Sequence, residues 1–231
     1  LGDVYKRQAV IPARKGSKSI KNKNIIKINN KALIEYTFDT ILKSKLSCLD
    51  SFVITNDNRV KKLATKYGVN TQYKRPEKTS TSKTSLLETL KDFIKWTESQ
   101  KINFDYIVIL QPTSPLRSYN DLNDSIKKIY KKNFSCLTSL SMSLEHPYES
   151  VYLDKKKQMH FFLKKGMKYT RRQDFDHDSY FINGAIYITS KKLINLGKVI
   201  DYKKSDFILM EKINSLDLND QSELKLIKKL L

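Results

Sequence analysis

AVIPARKGSKSIKNKN (residues 9–24) joins a short apolar run to a polar, strongly cationic loop. Ala9-Val10-Ile11 reads as a strand, stopped by Pro12. Arg14, Lys15, Gly16, Ser17 and Lys18 then combine cationic side chains with small residues that leave backbone N–H groups open, the two kinds of anion ligand. Lys21, Lys23 and Asn24 add a second cationic cluster just behind. A strand that ends in such a loop, early in an α/β chain, reads as a triphosphate cradle at the carboxyl end of the first strand. The loop carries neither the GxxxxGK[ST] of a Walker loop nor the GxGxxG of a dinucleotide fold. A solvated basic loop in a lysine-rich chain is the plain alternative.

The segments beyond the loop keep the alternation of an α/β sheet. Ala32 to Leu46 has apolar residues at helical spacing, and Ser51–Thr55 is a short buried strand ending in Asn56-Asp57, a turn and helix cap. Val60 to Tyr67 is a helix closed by Gly68, and Val69 to Tyr73 a further strand, so the order is β-α-β-α-β. After Arg75-Pro76, the Ser/Thr-rich run 79–85 is either a loop or the capped start of the helix Leu86–Trp96. Tyr106–Leu110 is the most strand-like segment and runs into Gln111-Pro112-Thr113-Ser114-Pro115-Leu116-Arg117, a loop stiffened by two prolines at the sheet's carboxyl edge. A helix follows over Asp121–Tyr130. From Ser135 short strands alternate with turns, which predicts an antiparallel excursion at about 140–175. Tyr180–Thr189 returns as a strand broken at Asn183-Gly184, where something approaches the backbone closely. SLDLND (215–220) precedes a final amphipathic helix, Glu223–Leu231.

Composition narrows the class. At 231 residues, 39% hydrophobic and 29% charged, the chain can bury one full core. The formal charge of +20 raises nucleic-acid binding, yet only seven of the 44 basic residues are arginine and the lysines are spread along the chain. A nucleic-acid reader concentrates Arg and aromatics on one element, so the expectation is a field favouring small anionic substrates, with no nucleic acid and no membrane as partner. No apolar run approaches ~18 residues and there is no signal-type leader. Two isolated cysteines, Cys48 and Cys136, without CxxC, fit a reducing cytoplasm. Residues 1–8, LGDVYKRQ, begin without Met, break an expected strand with polar residues and read as a non-native or truncated leader.

Taken together, the opening loop, ITNDNRVKKLATKYGV with the following Arg75-Pro76, LQPTSPLR (110–117), RRQDF (171–175), NGAIYI (183–188) and SLDLND (215–220) resemble the acylneuraminate cytidylyltransferases, also called CMP-nonulosonate synthetases, in order and in spacing. The resemblance runs from about Ala9 to the C-terminus. It implies a single domain with the nucleotide-diphospho-sugar transferase fold: a Rossmann-like, mixed but mainly parallel sheet with helices on both faces. The excursion at about 140–175 would be a dimerisation insertion, and the protein a homodimer. The implied reaction takes CTP and a nonulosonic acid to the CMP-sugar and pyrophosphate with Mg²⁺, in the biosynthesis of cell-surface polysaccharide.

Transfer to the α-phosphorus of CTP is mainly positioning plus neutralisation of charge on the phosphate oxygens. By resemblance Arg14, Ser17, Lys18, Lys23 and Asn24 sit where the family binds CTP, with Arg14, Lys18 and Lys23 as the catalytic cations, and Arg75 adds a contact near the nucleotide. Gln111, Arg172 and Asn183 are the expected sugar-acid residues; the planar fork of Arg172 suits a carboxylate. The family's Asp-x-Asp metal motif reads Asp217-Leu218-Asn219 here, with Asp220 next. Asp217 is the expected Mg²⁺ ligand, and the second is Asn219 or an inward-turned Asp220. Asp217 as a mere cap of the last helix is the structural alternative. Ser19 and Ser82 also depart from the family pattern, which commonly has Gly and Asp there. Rival functions are a cytidylyltransferase for another sugar acid such as Kdo, and a non-catalytic nucleotide- or nucleic-acid-binding protein.

Overall fold

Alternating apolar residues on short strands, read against amphipathic helices, build the centre of the molecule. The computed structural model describes residues 6–17, 19–46, 50–131 and 134–231. β1 (Arg7–Pro12) leads through the opening loop to a small ribbon, β2 (Lys27–Ile28) and β3 (Lys31–Ala32), and then to α1 (Leu33–Lys43). There follow β4 (Ser51–Ile54), α2 (Asn58–Lys66), α3 (Leu86–Ser99), β5 (Tyr106–Leu110), α4 (Tyr119–Lys131) and β6 (Cys136–Met142). A hairpin of β7 (Val151–Leu153) and β8 (Met159–Phe161) precedes β9 (Tyr180–Ser190), α5 (Lys191–Asn195), β10 (Ser205–Leu209) and α6 (Gln221–Leu230).

The central sheet has six strands in the order β10-β6-β9-β5-β1-β4. β1 runs parallel to β4 and β5, and β10 parallel to β6, whereas β9 is antiparallel to both of its neighbours. The sheet is therefore mixed and mainly parallel. The two-residue period sends side chains to opposite faces. Ala9, Ile11, Val53, Val108 and Leu110 meet α1, α2 and α4 through residues such as Phe38, Val60 and Ile126. Val10, Phe52, Ile54, Ile107 and Ile109 meet Leu90, Phe93 and Ile94 of α3 and Ile194 of α5. A third, smaller cluster of Ile20, Ile28, Leu33, Leu218, Leu224 and Ile227 fastens α6 behind the opening loop.

Several local expectations change. Arg7 and Gln8, whose polarity argued against a strand, pair with Tyr106 and Ile107 as the first rungs of β1. Backbone bonding to β5 carries them in whatever their side chains; residues 1–5 lie outside the described ones. Val69–Tyr73 is not a full strand. Only Asn70 bridges to Phe52, and Tyr73 instead packs its ring on Phe93 at 5.4 Å. β6 belongs to the central sheet rather than to the excursion, which is reduced to the β7-β8 hairpin and flanking turns between β6 and β9. β10 and α5 lie in a stretch with no sequence assignment. Cys136 is buried and free, and Cys48 falls outside the described residues. No helix among the described residues is long and apolar enough to cross a membrane.

Two polar anchors set the loops. Asp57 caps α2 by accepting from the Arg59 amide at 3.0 Å, and also takes the Arg59 guanidinium at 3.0 and 2.8 Å. The same guanidinium reaches Asn22 Oδ1 in the opening loop at 2.9 Å. Arg117 is 3% exposed and donates to the Ala185 carbonyl at 2.7 Å, the Gln111 carbonyl at 3.2 Å and Thr37 Oγ1 at 3.0 Å.

Truncating Arg117 to Ala should cost at least about 3 kcal/mol in urea unfolding, because it strands buried acceptors on three elements. Asp57→Ala should cost about 1–2 kcal/mol at neutral pH. Arg59 holds the Asp57 carboxyl below its ordinary range. Its stabilisation is therefore complete above that range and lost as pH falls through the lowered value, so the gap between wild type and Asp57→Ala should close in acid.

Candidate active site

Carboxyl ends of parallel strands are where loops can converge without blocking the sheet. Three do so here: the opening loop after β1, the loop 111–117 after β5, and the turn 215–220 before α6. β9 enters the same edge through Asn183-Gly184. A cleft of 720 Å³ is lined by Gln111, Asn183, Gly184, Tyr187, Asp217 and Glu223, among others.

The opening loop is held from several sides. Asn24 Nδ2 donates to the Arg14 carbonyl at 3.0 Å, and the Lys15 amide donates to Asn56 Oδ1 at 2.8 Å. Arg14 Nη1 donates to the Gly16 carbonyl at 2.6 Å, across a backbone with φ of +82° at Gly16. That left-handed turn favours glycine. Ser17 is half-buried in the same loop, and Lys18 lies outside the described residues. The loop adjoins the cleft rather than lining it. Lys23 makes the junction: its ammonium donates to the Leu218 carbonyl at 2.8 Å and the Asn219 carbonyl at 3.3 Å. Partial burial pulls the Lys23 pKa down, and the nearby charges of Asp217, Glu223 and Asp220 work against that.

The turn before α6 is pinned to the second loop by the Leu218 amide, which donates to the Thr113 carbonyl at 2.8 Å. Asp217 lines the cleft, and one of its carboxylate oxygens, Oδ1, is buried without a hydrogen-bond partner among the described residues. Burial pushes its carboxyl above the usual range; Thr113, Asn219 and Lys23 oppose the shift, and the charge of Glu223 adds to it. Asp220 has another task. Its Oδ1 accepts from the Ser222 amide at 2.8 Å, the Ser222 hydroxyl at 2.6 Å and the Glu223 amide at 3.0 Å, capping α6. Asp217 is thus not the cap of the last helix, and Asp220 is not turned inward.

Other expected site residues are placed differently from one another. Gln111 faces the cleft beside Gly184, whose φ is +74°. A Cβ at Gly184 would stand 3.6 Å from the Tyr187 hydroxyl and 3.9 Å from Gln111 Nε2, so the missing side chain keeps the space between them open. Asn183 is buried and its amide is engaged internally. Oδ1 accepts from the Ser139 hydroxyl at 2.5 Å and the Ala185 amide at 3.1 Å, while Nδ2 donates to the Ser215 hydroxyl at 2.9 Å. It braces the cleft wall. Arg75 is buried, its guanidinium donating to the Thr79 carbonyl and, at 3.0 Å, to Thr89 Oγ1. It orders the turn before α3. Arg172 pairs with Glu145 and Glu149 and lines a neighbouring groove with His146 and His177. That groove shares Met142, Ser143 and Leu144 with the cleft.

Tyr187 and Glu223 are among the cleft residues with no site role assigned from the sequence. Tyr187, its phenol raised by burial and then by the Asp217 charge, sits within the NGAIYI motif. Glu223 stands three residues after Asp220, the spacing of a capping box, which would have placed it against the 217–220 turn.

The cytidylyltransferase family profile matches residues 8–230. Among curated proteins, the N-acylneuraminate cytidylyltransferase of Escherichia coli is 31% identical over 94% of this chain, which spans only 50% of that relative's length. The pseudaminic acid cytidylyltransferase of Campylobacter jejuni is 30% identical, with 88% of this chain and 87% of the relative covered. The CMP-N,N'-diacetyllegionaminic acid synthase of Legionella pneumophila is 27% identical over 96% of this chain and 95% of its own. Among solved structures, a CMP:2-keto-3-deoxy-manno-octonic acid synthetase complexed with CTP superposes with a TM-score of 0.70, covering 97% of this chain and 98% of that one at 16% identity, a likeness of fold. With the profile spanning nearly the whole sequence and the motifs gathered at one sheet edge, the chain belongs to the acylneuraminate cytidylyltransferase (CMP-nonulosonate synthetase) family of cytidylyltransferases.

Proposed function

We propose that this chain transfers the CMP moiety of CTP to the anomeric hydroxyl of a nonulosonic acid, releasing pyrophosphate. The observation that carries this reading is the junction at Lys23, where a cation from the opening loop meets the turn that presents Asp217 to the cleft. In this reading the opening loop, with Arg14, Ser17, Lys18 and Asn24, binds the triphosphate, and Lys23 neutralises charge as the pyrophosphate leaves. Gln111 and Tyr187 orient the sugar acid in the cleft, with Asn183 holding the wall. A free CTP supply puts the reaction in the cytoplasm.

The residues present fit Mg²⁺. The orphaned oxygen of Asp217 is a hard, anionic donor, and the Asn219 side chain interacts with the same carboxyl group. Mg²⁺ characteristically takes one or two protein carboxylates and completes its shell with water and phosphate oxygens. When bound, the ion would polarise phosphate oxygens and balance their charge. Asp217 would hold it.

The relatives favour the nonulosonic acids as a class. An N-acylneuraminate is the acid suggested by the E. coli relative, and the pseudaminic and legionaminic relatives support theirs to a similar degree. The insertion between β6 and β9 supports a homodimer. Leu153, Met159, Phe162 and Met167 are 65, 64, 65 and 70% exposed on one small subdomain, apolar side chains that a second copy of the chain would cover.

Pyrophosphate release should require CTP, Mg²⁺ and one acid from a panel of neuraminic, legionaminic and pseudaminic acids, with ATP, GTP, UTP and Kdo as controls. Asp217→Ala should lower the rate roughly 100-fold. Turnover with Kdo alone would move the chain to the rival substrate, and no CTP effect on turnover or on melting would sink the reading. Light scattering should give twice the 27.0 kDa chain mass, and Phe162→Glu with Leu153→Glu should return it to one; a monomeric wild type would refute the dimer.

A further inference from the structure

The turn that presents Asp217 carries Asn219 where a second carboxylate would be expected, and Asp220 is committed to capping α6. We propose that Glu223 supplies the second carboxylate of the divalent-cation site, in the same cleft as Asp217. This rests on the reading in which Asp217 holds the metal, and it assigns a ligand that the Asp-x-Asp pattern does not contain.

Glu223 lies in the first turn of α6, yet its side chain folds back over the preceding residues. One oxygen, Oε2, accepts from the Asn219 amide at 2.5 Å and from the Asp220 amide at 3.1 Å. Its other oxygen takes no hydrogen bond among the described residues, and the residue lines the same cleft as Asp217 and Asn219. Asp217, whose Oδ1 is buried and unpartnered, lines that cleft as well. Lys23 stands within electrostatic reach of both carboxylates. Two anionic oxygens therefore flank one turn, each held by a framework that does not need to move: Asp217 by the Leu218–Thr113 bond, Glu223 by two backbone amides.

Glu223 is the third residue of α6, which begins at Gln221, and the extra methylene of Glu over Asp lengthens its reach back over the preceding turn. Charge count is what tunes a hard-cation site, and a site with Asn219 in place of a carboxylate regains its second charge from Glu223. A capping role alone would need only an acceptor oxygen at this position. The charge is what separates the two roles.

Glu223→Gln keeps the length and the acceptor but removes the charge. The probe is Mn²⁺ with CTP and no sugar acid, read by water-proton relaxation, which reports ion held on the slowly tumbling protein. Glu223→Gln should weaken Mn²⁺ binding about tenfold or more. Adding Asn219→Asp to that variant should recover most of the loss. Wild-type Mn²⁺ binding by Glu223→Gln, with Asp217→Asn defective, would overturn the role of Glu223 and leave the metal reading standing. Unchanged binding by Asp217→Asn would overturn the metal reading itself. If Glu223→Gln lowers the melting temperature of the metal-free protein, the double variant decides: recovered binding supports the role, and none overturns it.

Discussion

The site depends on a guanidinium that is buried behind the cleft and is not among the residues lining it. Arg117, wholly inside the protein, donates to carbonyls of Gln111 and Ala185 and to the hydroxyl of Thr37, while Thr40 donates to the Arg117 carbonyl. Loop, strand and helix from three distant parts of the chain are joined at this point. Burial pulls its pKa down to about 9, with Asp121 the main charge opposing that shift, and the group remains cationic at neutral pH. Such burial is expensive unless the donors are used. Nη1 is used by carbonyls of the two backbones that form the cleft and Nη2 by the Thr37 hydroxyl, while Nε has no partner among the described residues. The cost of one buried charge thus becomes the rigidity of the site.

From that clamp outward, each wall of the cleft is fixed by a different bond type. Asn183 ties β9 to β6 and to Ser215 through its side-chain amide. A backbone bond from Leu218 to Thr113 sets the turn that carries Asp217, and apolar packing of Leu218, Leu224 and Ile227 sets the helix behind it. Lys23 and the Arg59–Asn22 bond connect the cationic loop to this frame. A loop with a preset shape loses little entropy when it meets an anionic ligand. The net charge of +20 is of the sign that favours anionic ligands at longer range.

Arg75 and Arg172 show why a motif residue is not automatically a contact residue. Arg75 is buried, with its donors taken by Thr79 and Thr89, so its effect on a nucleotide would pass through the shape of the turn after Pro76. Arg172 sits in the insertion, balanced between Glu145 and Glu149, in a groove next to the cleft. The apolar residues exposed on that insertion are a separate feature from the site's polar chemistry, and they account for why the segment is patterned neither like the sheet nor like a solvated loop.

The alternation of strands and helices, the opening loop, the stiff Gln111–Arg117 connection and the family are all legible in the residues alone, because period, proline placement and local motifs are short-range properties. Tyr106–Leu110 is legible as a doubly buried strand since all five residues are apolar. Short-range signals failed where long-range pairing decides. Arg7 and Gln8 became strand because β5 offered a partner, Val69–Tyr73 did not because only Asn70 found one, and β10 exists through its bonding to β6. Only the tertiary structure decided which polar side chains face the cleft and which are internal. Arg117 and Asn183 have the same motif-level appearance as Gln111, and their roles part according to which carbonyls and hydroxyls folding brings within 3 Å or so. The same holds for the acids near the C-terminus: Asp217, Asp220 and Glu223 are close in sequence, but the direction of one helix start gives the cap to Asp220 and leaves the other two in the cleft.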